Sequence, residues 1–201
     1  LILLLLFIPL VSFGQSYLPK SNGELVTHVY YTLSYNEKHE QAEWVHYYLD
    51  KNQISGNIER TNNFRIDNKV STGSASLADY KGSGFDRGHL APAGDMSFST
   101  TAMSESFLLS NMSPQNASFN RGVWKKLESL VRNWGTNISI YVGAKISMEN
   151  VNSDMNYCIS NGATGTIASV IYGKESGPHA SLNKRMPKYV LLEMADFVPM
   201  S

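Results

Sequence analysis

Between Asn120 and Trp134 the apolar residues Val123, Trp124, Leu127, Leu130, Val131 and Trp134 recur at three- and four-residue spacing. This is one apolar stripe of a 3.6-residue period, and it predicts a helix laid against a body that covers it. At roughly 100° per residue, Asn120 falls on the side of the stripe and Glu128 near its edge. Burying an amide and a carboxylate costs free energy unless they are satisfied. Each therefore needs a hydrogen-bond partner, a metal or a structured water. A simpler assignment makes Asn120 a helix cap and Glu128 an i,i+4 partner of Arg132.

Ahead of that helix the chain reads as strands and loops. Thr27 to Tyr35 and Glu43 to Leu49 are rich in β-branched and aromatic residues, with the polar segment Asn36 to Gln41 between them. They predict an antiparallel pair. His28 and His46 lie inside these strands as packed cross-strand partners, while His39 in the loop and His179 in a Gly/Ser/Pro-rich stretch are expected to face water. Asn52 to Gly84 is loop-like, and Ser106 to Asn111 is a short apolar strand candidate. Ile138 to Val142, Gly165 to Tyr172 and Lys188 to Glu193 are further strand candidates. No repeat or long linker interrupts the chain, and its 201 residues fit one domain at roughly 100–200 residues per domain.

The first fourteen residues stand apart from that domain. Leu1 to Phe13 is almost wholly apolar, shorter than the ~20 residues of a bilayer span, and ends in Ser12-Phe13-Gly14 before Gln15. Small residues at Ser12 and Gly14 fit a signal-peptide cleavage site, although the charged n-region and initiator Met are missing. The expectation is a leader over 1–14, export to the medium or the periplasm, and one domain over 15–201 with no stable membrane association after cleavage. Cys158 is the single cysteine, cannot bridge within the chain, and is expected to be a small buried hydrophobe, with a free thiol as the alternative.

Gly84-Phe85-Asp86-Arg87-Gly88-His89-Leu90-Ala91-Pro92 packs an acid, a guanidinium, a glycine and an imidazole into four consecutive positions. No core requirement explains that run, although alone it fits a salt-bridged turn as well as a catalytic loop. An imidazole of pKa about 6.5 is partly neutral at working pH and can take a proton from water. A guanidinium fork suits phosphate. The side-chain oxygen of Asn120 is a hard neutral donor of the kind Mg²⁺ accepts while keeping several waters.

Asp86-Arg87-Gly88-His89-Leu90-Ala91-Pro92, then Leu109-Ser110-Asn111-Met112-Ser113-Pro114-Gln115, then Asn120-Arg121-Gly122-Val123-Trp124 and Glu128, together resemble the DNA/RNA non-specific endonuclease family. The match runs from about Trp44 to Trp134, with Asn63-Phe64-Arg65-Ile66-Asp67 taken as the family's aromatic-x-x-Asp segment. The resemblance implies an α+β fold, a mixed antiparallel sheet core carrying a ββα-metal (His-Me finger) active-site motif. It implies His89 as general base, Arg87 on the substrate or transition state, and Arg60 as a second substrate-binding arginine. It further implies Asn120 as the direct ligand of Mg²⁺, with Mn²⁺ or another divalent cation as alternatives, and Glu128 holding the ion through water. Asn111 is grouped with the catalytic residues as a hydrogen-bonding support, and Asp86 is expected to fix the loop or orient a neighbour. The implied activity is hydrolysis of both DNA and RNA to 5′-phosphate and 3′-hydroxyl products. Met186-Pro187-Lys188-Tyr189 resembles a region that follows the family core, whereas Asn150 to Leu182 departs from the pattern, as an insertion or as the mark of an incomplete C-terminus.

Charge places the anion-binding surface locally. The whole chain is formally neutral, which argues against a polybasic protein, yet Lys51 to Trp134 holds ten Lys and Arg against seven Asp and Glu, a net of +3. Nothing in the chain resembles a recognition helix, a zinc finger or an aromatic stacking motif. The nominated groups address phosphate, which positions a polymer without specifying its sequence. Two rival functions are a nucleic-acid-binding module without catalysis and a hydrolase of another phosphodiester. Nothing in the chain marks an oligomeric state.

Overall fold

The computed structural model of the protein describes residues 18–19, 21–137 and 140–146, with the strands Tyr157–Ile159, Gly165–Tyr172, Pro187–Met194 and Phe197–Pro199. The expected leader, His179 and the side chain of Cys158 lie outside the described residues, as does much of Asn150 to Leu182. One sheet contains β1 (Glu24–Thr27), β2 (Tyr31–Asn36), β3 (Gln41–Leu49), β6 (Ile140–Ile146), β8 (Gly165–Tyr172) and β9 (Pro187–Met194), in the order β1-β2-β3-β6-β9-β8. Its pairs are antiparallel except β6 with β9. A second sheet orders β10 (Phe197–Pro199), β7 (Tyr157–Ile159), β5 (Met112–Gln115) and β4 (Asp86–His89). The fold is α+β, as expected.

Alternation along the strands explains the core. Tyr31, Leu33 and Tyr35 of β2, Val45, Tyr47 and Leu49 of β3, and Ile140, Val142 and Ala144 of β6 are all buried. Each set is spaced by two residues, so each occupies one face of its strand. Against that face packs the helical segment that runs through α3 (Ala117–Phe119), a π-helical turn at Asn120–Trp124, and α4 (Lys125–Gly135). Phe119, Trp124 and Val131 join the same cluster, with Leu127 and Trp134 at its edge. A fully buried side chain of that size contributes about 1.5–3 kcal/mol.

Four sequence expectations are corrected. The strand expected over Thr27 to Tyr35 is instead a hairpin, because His28 N–H donates to Tyr31 O at 2.8 Å and its ring turns inward, where Nε2 donates to Asp67 at 2.8 Å. Ser106 to Asn111 is not a strand. It spans the end of α2 (Thr100–Ser106) and a 3-10 turn at Leu109–Asn111, and it is apolar because Phe107, Leu108 and Leu109 are all buried. The loop-like stretch before Gly84 contains a short helix, α1 (Leu77–Tyr80), held by a reciprocal cap between Ser76 and Asp79. The wide turn at Asn120–Trp124 also shifts the phase of the helix. Val123 and Leu130, expected in the buried stripe, are 45% and 41% exposed, while Trp124, Val131 and Gly135 face inward with Glu128 between them.

Candidate active site

β4 and β5 form an antiparallel ladder that pairs Asp86 with Gln115, Arg87 with Pro114, Gly88 with Ser113 and His89 with Met112. The helical segment follows directly, giving the order strand, strand, helix. Because side chains alternate along a strand, Arg87 and His89 share a face. Gly88 lies between them for reasons of space: a Cβ there would stand 2.0 Å from Gln115 Cδ.

His89 is held from several directions. Trp124 Nε1 donates to its carbonyl at 3.1 Å, and Leu90 N–H donates to Asn111 O at 3.0 Å. The imidazole stands edge-on to Phe107, with ring centres 4.9 Å apart, and tilted against Phe64 at 6.0 Å. Its Nε2 is buried and has no hydrogen-bond partner among the described residues. Burial, followed by the nearby charge of Arg60, pushes its pKa down to about 3. The ring is therefore held neutral, with a low proton affinity and an unpartnered Nε2.

Asn111 lies behind the His89 strand as a hydrogen-bonding support. It is fully buried, its Oδ1 accepts from Ala91 N–H at 2.8 Å, and its Nδ2 donates to the carbonyls of Ala91 and Ser106 at 3.0 and 2.8 Å. With the amide committed to backbone, Asn111 belongs with the positioning residues, fixing the loop that leaves His89.

The start of the helical segment faces β4. Asn120 Nδ2 donates to Asp86 Oδ2 at 2.9 Å, and Arg121 donates to the same carboxylate through Nε at 2.8 Å and Nη2 at 2.7 Å. These bonds hold Asp86 below the usual carboxylate range, the Arg121 contact being the largest cause. Among the described residues no group bonds the Asn120 Oδ1, and Asn120 lines the cleft.

Glu128 sits two turns on, half-buried, with no hydrogen bond or ion pair to a described residue. The pairing with Arg132 is corrected: Arg132 Nε donates instead to Asp95 Oδ1 at 2.6 Å, and Tyr47 Oη donates to Asp95 Oδ2 at 2.6 Å. Burial, then the charge of Asp95, pushes the Glu128 pKa up to about 8 against the pull of Arg132, Arg60 and Lys125. The Tyr47–Asp95–Arg132 network was invisible in the sequence because Tyr47 and Asp95 lie far apart along the chain in no shared motif.

The cleft has two adjoining lobes that share Arg60, Arg87, Asn120 and Arg121. The inner lobe adds His89, Lys125 and Glu128, so it gathers His89, Arg87, Arg60, Asn120 and Glu128, while Asn111 lies behind it. Two of these arginines lie on aromatic rings: Arg87 Cζ is 4.1 Å from the centre of Phe64 and Arg60 Cζ is 4.8 Å from that of Phe107. Such contacts preorganise a guanidinium while leaving its edge free. The outer lobe adds Phe64, Leu77, Tyr80, Lys81 and Phe85. No aromatic stacking motif stands out in the sequence, yet Phe64, Tyr80 and Phe85 line this lobe together. The signal was dispersed, since these residues come from three separate segments.

The donor set can be judged against a metal. Among the described residues no three or more His, Cys, Asp or Glu side chains come together to hold one. What faces the cleft is one uncommitted amide oxygen and one unpaired carboxylate. Hard oxygen donors in small number suit a cation such as Mg²⁺, which keeps most of its waters.

Comparison with known proteins agrees with this arrangement. Residues 13–168 match the family described as DNA/RNA non-specific endonuclease. The mitochondrial nuclease EXOG of Xenopus laevis is 37% identical over 126 residues, covering 62% of this chain and 34% of the relative. Nuclease C1 of Cunninghamella echinulata var. echinulata is 44% identical over 107 residues, 51% of this chain and 42% of its own. Mitochondrial endonuclease G of Homo sapiens is 40% identical over 104 residues, 51% of this chain and 35% of its own. The chain thus spans less than half the length of these relatives. A chain in the crystal structure of the EndoG/EndoGI complex shares the fold, with a TM-score of 0.58 at 21% identity over 89% of this chain and 75% of that one. With the family pattern matched over more than half of its length, and with the strand, strand and helix of the site in order, the chain belongs to the DNA/RNA non-specific endonuclease family.

Proposed function

We propose that the protein is a divalent-metal-dependent endonuclease that hydrolyses the phosphodiester backbone of both DNA and RNA with little sequence preference. One observation carries this reading: His89, with a buried and unpartnered Nε2, lines the same cleft as Arg87, Arg60, Asn120 and Glu128.

In this reading Arg87 and Arg60, braced on Phe64 and Phe107, clamp the non-bridging oxygens of the scissile phosphate. His89 takes the proton of the attacking water at Nε2. Its low proton affinity in the free protein is partly the work of Arg60, and a bound phosphate offsets that charge, raising the basicity of the imidazole when substrate is in place. Asn120 would hold such a cation directly through Oδ1, and Glu128 would hold it through water. When bound, one such cation supplies charge neutralisation at the phosphate and at the departing 3′ oxygen. The P–O3′ bond breaks and the departing oxygen takes a proton from solvent, leaving a 5′-phosphate and a 3′-hydroxyl. Asp86, Asn111 and Trp124 keep these groups in place.

The reading includes export, to the medium or the periplasm, resting on the apolar leader Leu1 to Phe13. Fractionation of the producing cell and sequencing of the mature N-terminus test that part. The activity is tested by digesting plasmid DNA and total RNA with Mg²⁺ or EDTA, beside His89→Ala. Metal-dependent loss of both polymers, absent in the variant, is the expected result, with ends that ligate without prior phosphorylation. Folded protein that binds DNA in EDTA but cuts neither polymer with Mg²⁺ contradicts the proposal.

A further inference from the structure

The side of the outer lobe made by Leu77, Tyr80, Lys81 and Phe85 has no task in the reaction just described. Its floor is Phe64 and Tyr80, whose rings pack against buried Ala75, Leu109 and Met112 and are thereby fixed. Its rim is Leu77, Lys81 and Phe85. Leu77 is 47% exposed, an apolar side chain on a surface helix with no core to serve. The inner edge is shared with Arg87 and Asn120, the groups placed on the scissile phosphate.

The backbone supports this wall. The reciprocal cap of Ser76 and Asp79 starts α1, and positive φ angles at Gly82 (76°) and Gly84 (81°) turn the chain sharply into β4. L-residues avoid such angles, so the turn depends on glycine. Leu77 and Lys81 are thereby set on one side of the lobe and Phe85 on the approach to Arg87.

Beside the arginines placed on one phosphate, the lobe combines apolar and aromatic surface with the ammonium of Lys81. Phosphate, nucleoside and next phosphate along a nucleic-acid strand call for these same kinds of group. We propose that this lobe seats the nucleoside adjoining the scissile phosphate, its base or sugar against Leu77 and Phe85 and the following phosphate at Lys81. The assignment rests on the endonuclease reading and extends it to substrate positioning. Asp86 and Arg121 are paired with each other here, and the Asn120 N–H is spent on Asp86. Contact is therefore left to flat and apolar surfaces, which accept any base. Nothing in it requires or forbids a 2′-hydroxyl, so DNA and RNA fit alike.

The test uses His89→Ala protein with Mg²⁺ and dinucleotides whose single phosphate fixes the register. One base is 2-aminopurine, placed in turn on each side of that phosphate, in ribose and deoxyribose forms. The expected result is quenching on binding from one side only, relieved by Leu77→Ala and by Phe85→Ala. In protein that retains His89, each substitution raises KM for polymer on the order of ten-fold with a much smaller change in kcat. Lys81→Ala lowers the slope of log affinity against log salt by about one. Unmoved quenching and KM in both variants, beside a wild type that still cuts, overturn the lobe assignment and leave the endonuclease standing. A wild type that neither binds nor cuts overturns both. Should Phe85→Ala fail to fold, Leu77→Ala at its exposed position decides.

Discussion

Asn120 donates through Nδ2 to Asp86 Oδ2 at 2.9 Å, and that bond decides which end of the amide faces the cleft. With the N–H anchored on β4, the oxygen is left for a ligand. The acid of the Asp-Arg-Gly-His run thus acts through another residue, while Arg121 closes its other side.

Asp86→Ala releases the amide to rotate. Loss of an orienting partner of a ligand typically costs ten- to a hundred-fold in metal affinity. The Mg²⁺ midpoint of the cleavage rate is expected to rise on the order of ten-fold, with a smaller loss at saturating Mg²⁺. An unchanged midpoint would mean that Asn120 is oriented without Asp86.

Gly88→Ala tests the packing between Arg87 and His89. The new Cβ would meet the Gln115 side chain at 2.0 Å, so that buried side chain must be displaced or the ladder must shift. Overpacking of this kind costs about 1–3 kcal/mol. Urea unfolding is expected to show that loss, accompanied by a fall in kcat because the same strand carries both site residues.

The Asp67 carboxyl gives a pH prediction. Burial raises its pKa, but hydrogen bonds from His28 Nε2, Ser110 Oγ and Lys69 N–H outweigh that and hold it below its ordinary value. A depressed folded pKa means that the unfolded chain binds the proton more readily. The contribution to stability is therefore present above the unfolded value of about 4 and is lost as pH falls through the folded one. Asp67→Asn is expected to be less stable at pH 7 and to show a shallower acid limb in the unfolding midpoint against pH. Parallel curves for the two proteins would remove Asp67 as a source of acid sensitivity.

Asn111→Ala separates support from chemistry. It strands the Ala91 N–H and two carbonyls in the interior, costing about 3 kcal/mol. Thermal unfolding should register that loss. Well below the new midpoint, Mg²⁺ dependence and the pH profile of kcat should keep their wild-type form, which a group touching the reacting atoms would alter.

Much of the site was legible because its residues are local in sequence. Asp86 to His89 occupy one strand, and Asn120 and Glu128 lie two helical turns apart, so a short-range period brings them near one face. What was missed depends on long-range contact or irregular backbone. The π-helical turn at Asn120–Trp124 rephases the helix and exposes Val123 and Leu130, which a uniform 3.6-residue period cannot foresee. Tyr47 and Asp95 meet only because β3 lies under the turn at Ala93–Met96. Arg132, a natural partner for Glu128 by helical spacing, is captured by that buried carboxylate instead. Likewise the inward-turned ring of His28 finds its partner in Asp67, 39 residues away.

The central claim is that His89 moves the proton while Asn120 holds the cation. Single-turnover cleavage of one oligonucleotide across a Mg²⁺ titration, for wild type, His89→Ala and Asn120→Ala, tests it most directly. The account predicts that His89→Ala lowers the rate at saturating Mg²⁺ by at least about a hundred-fold with little change in the Mg²⁺ midpoint. Asn120→Ala should raise that midpoint and lower the rate together. Cleavage at the wild-type rate and midpoint by either folded variant would contradict it.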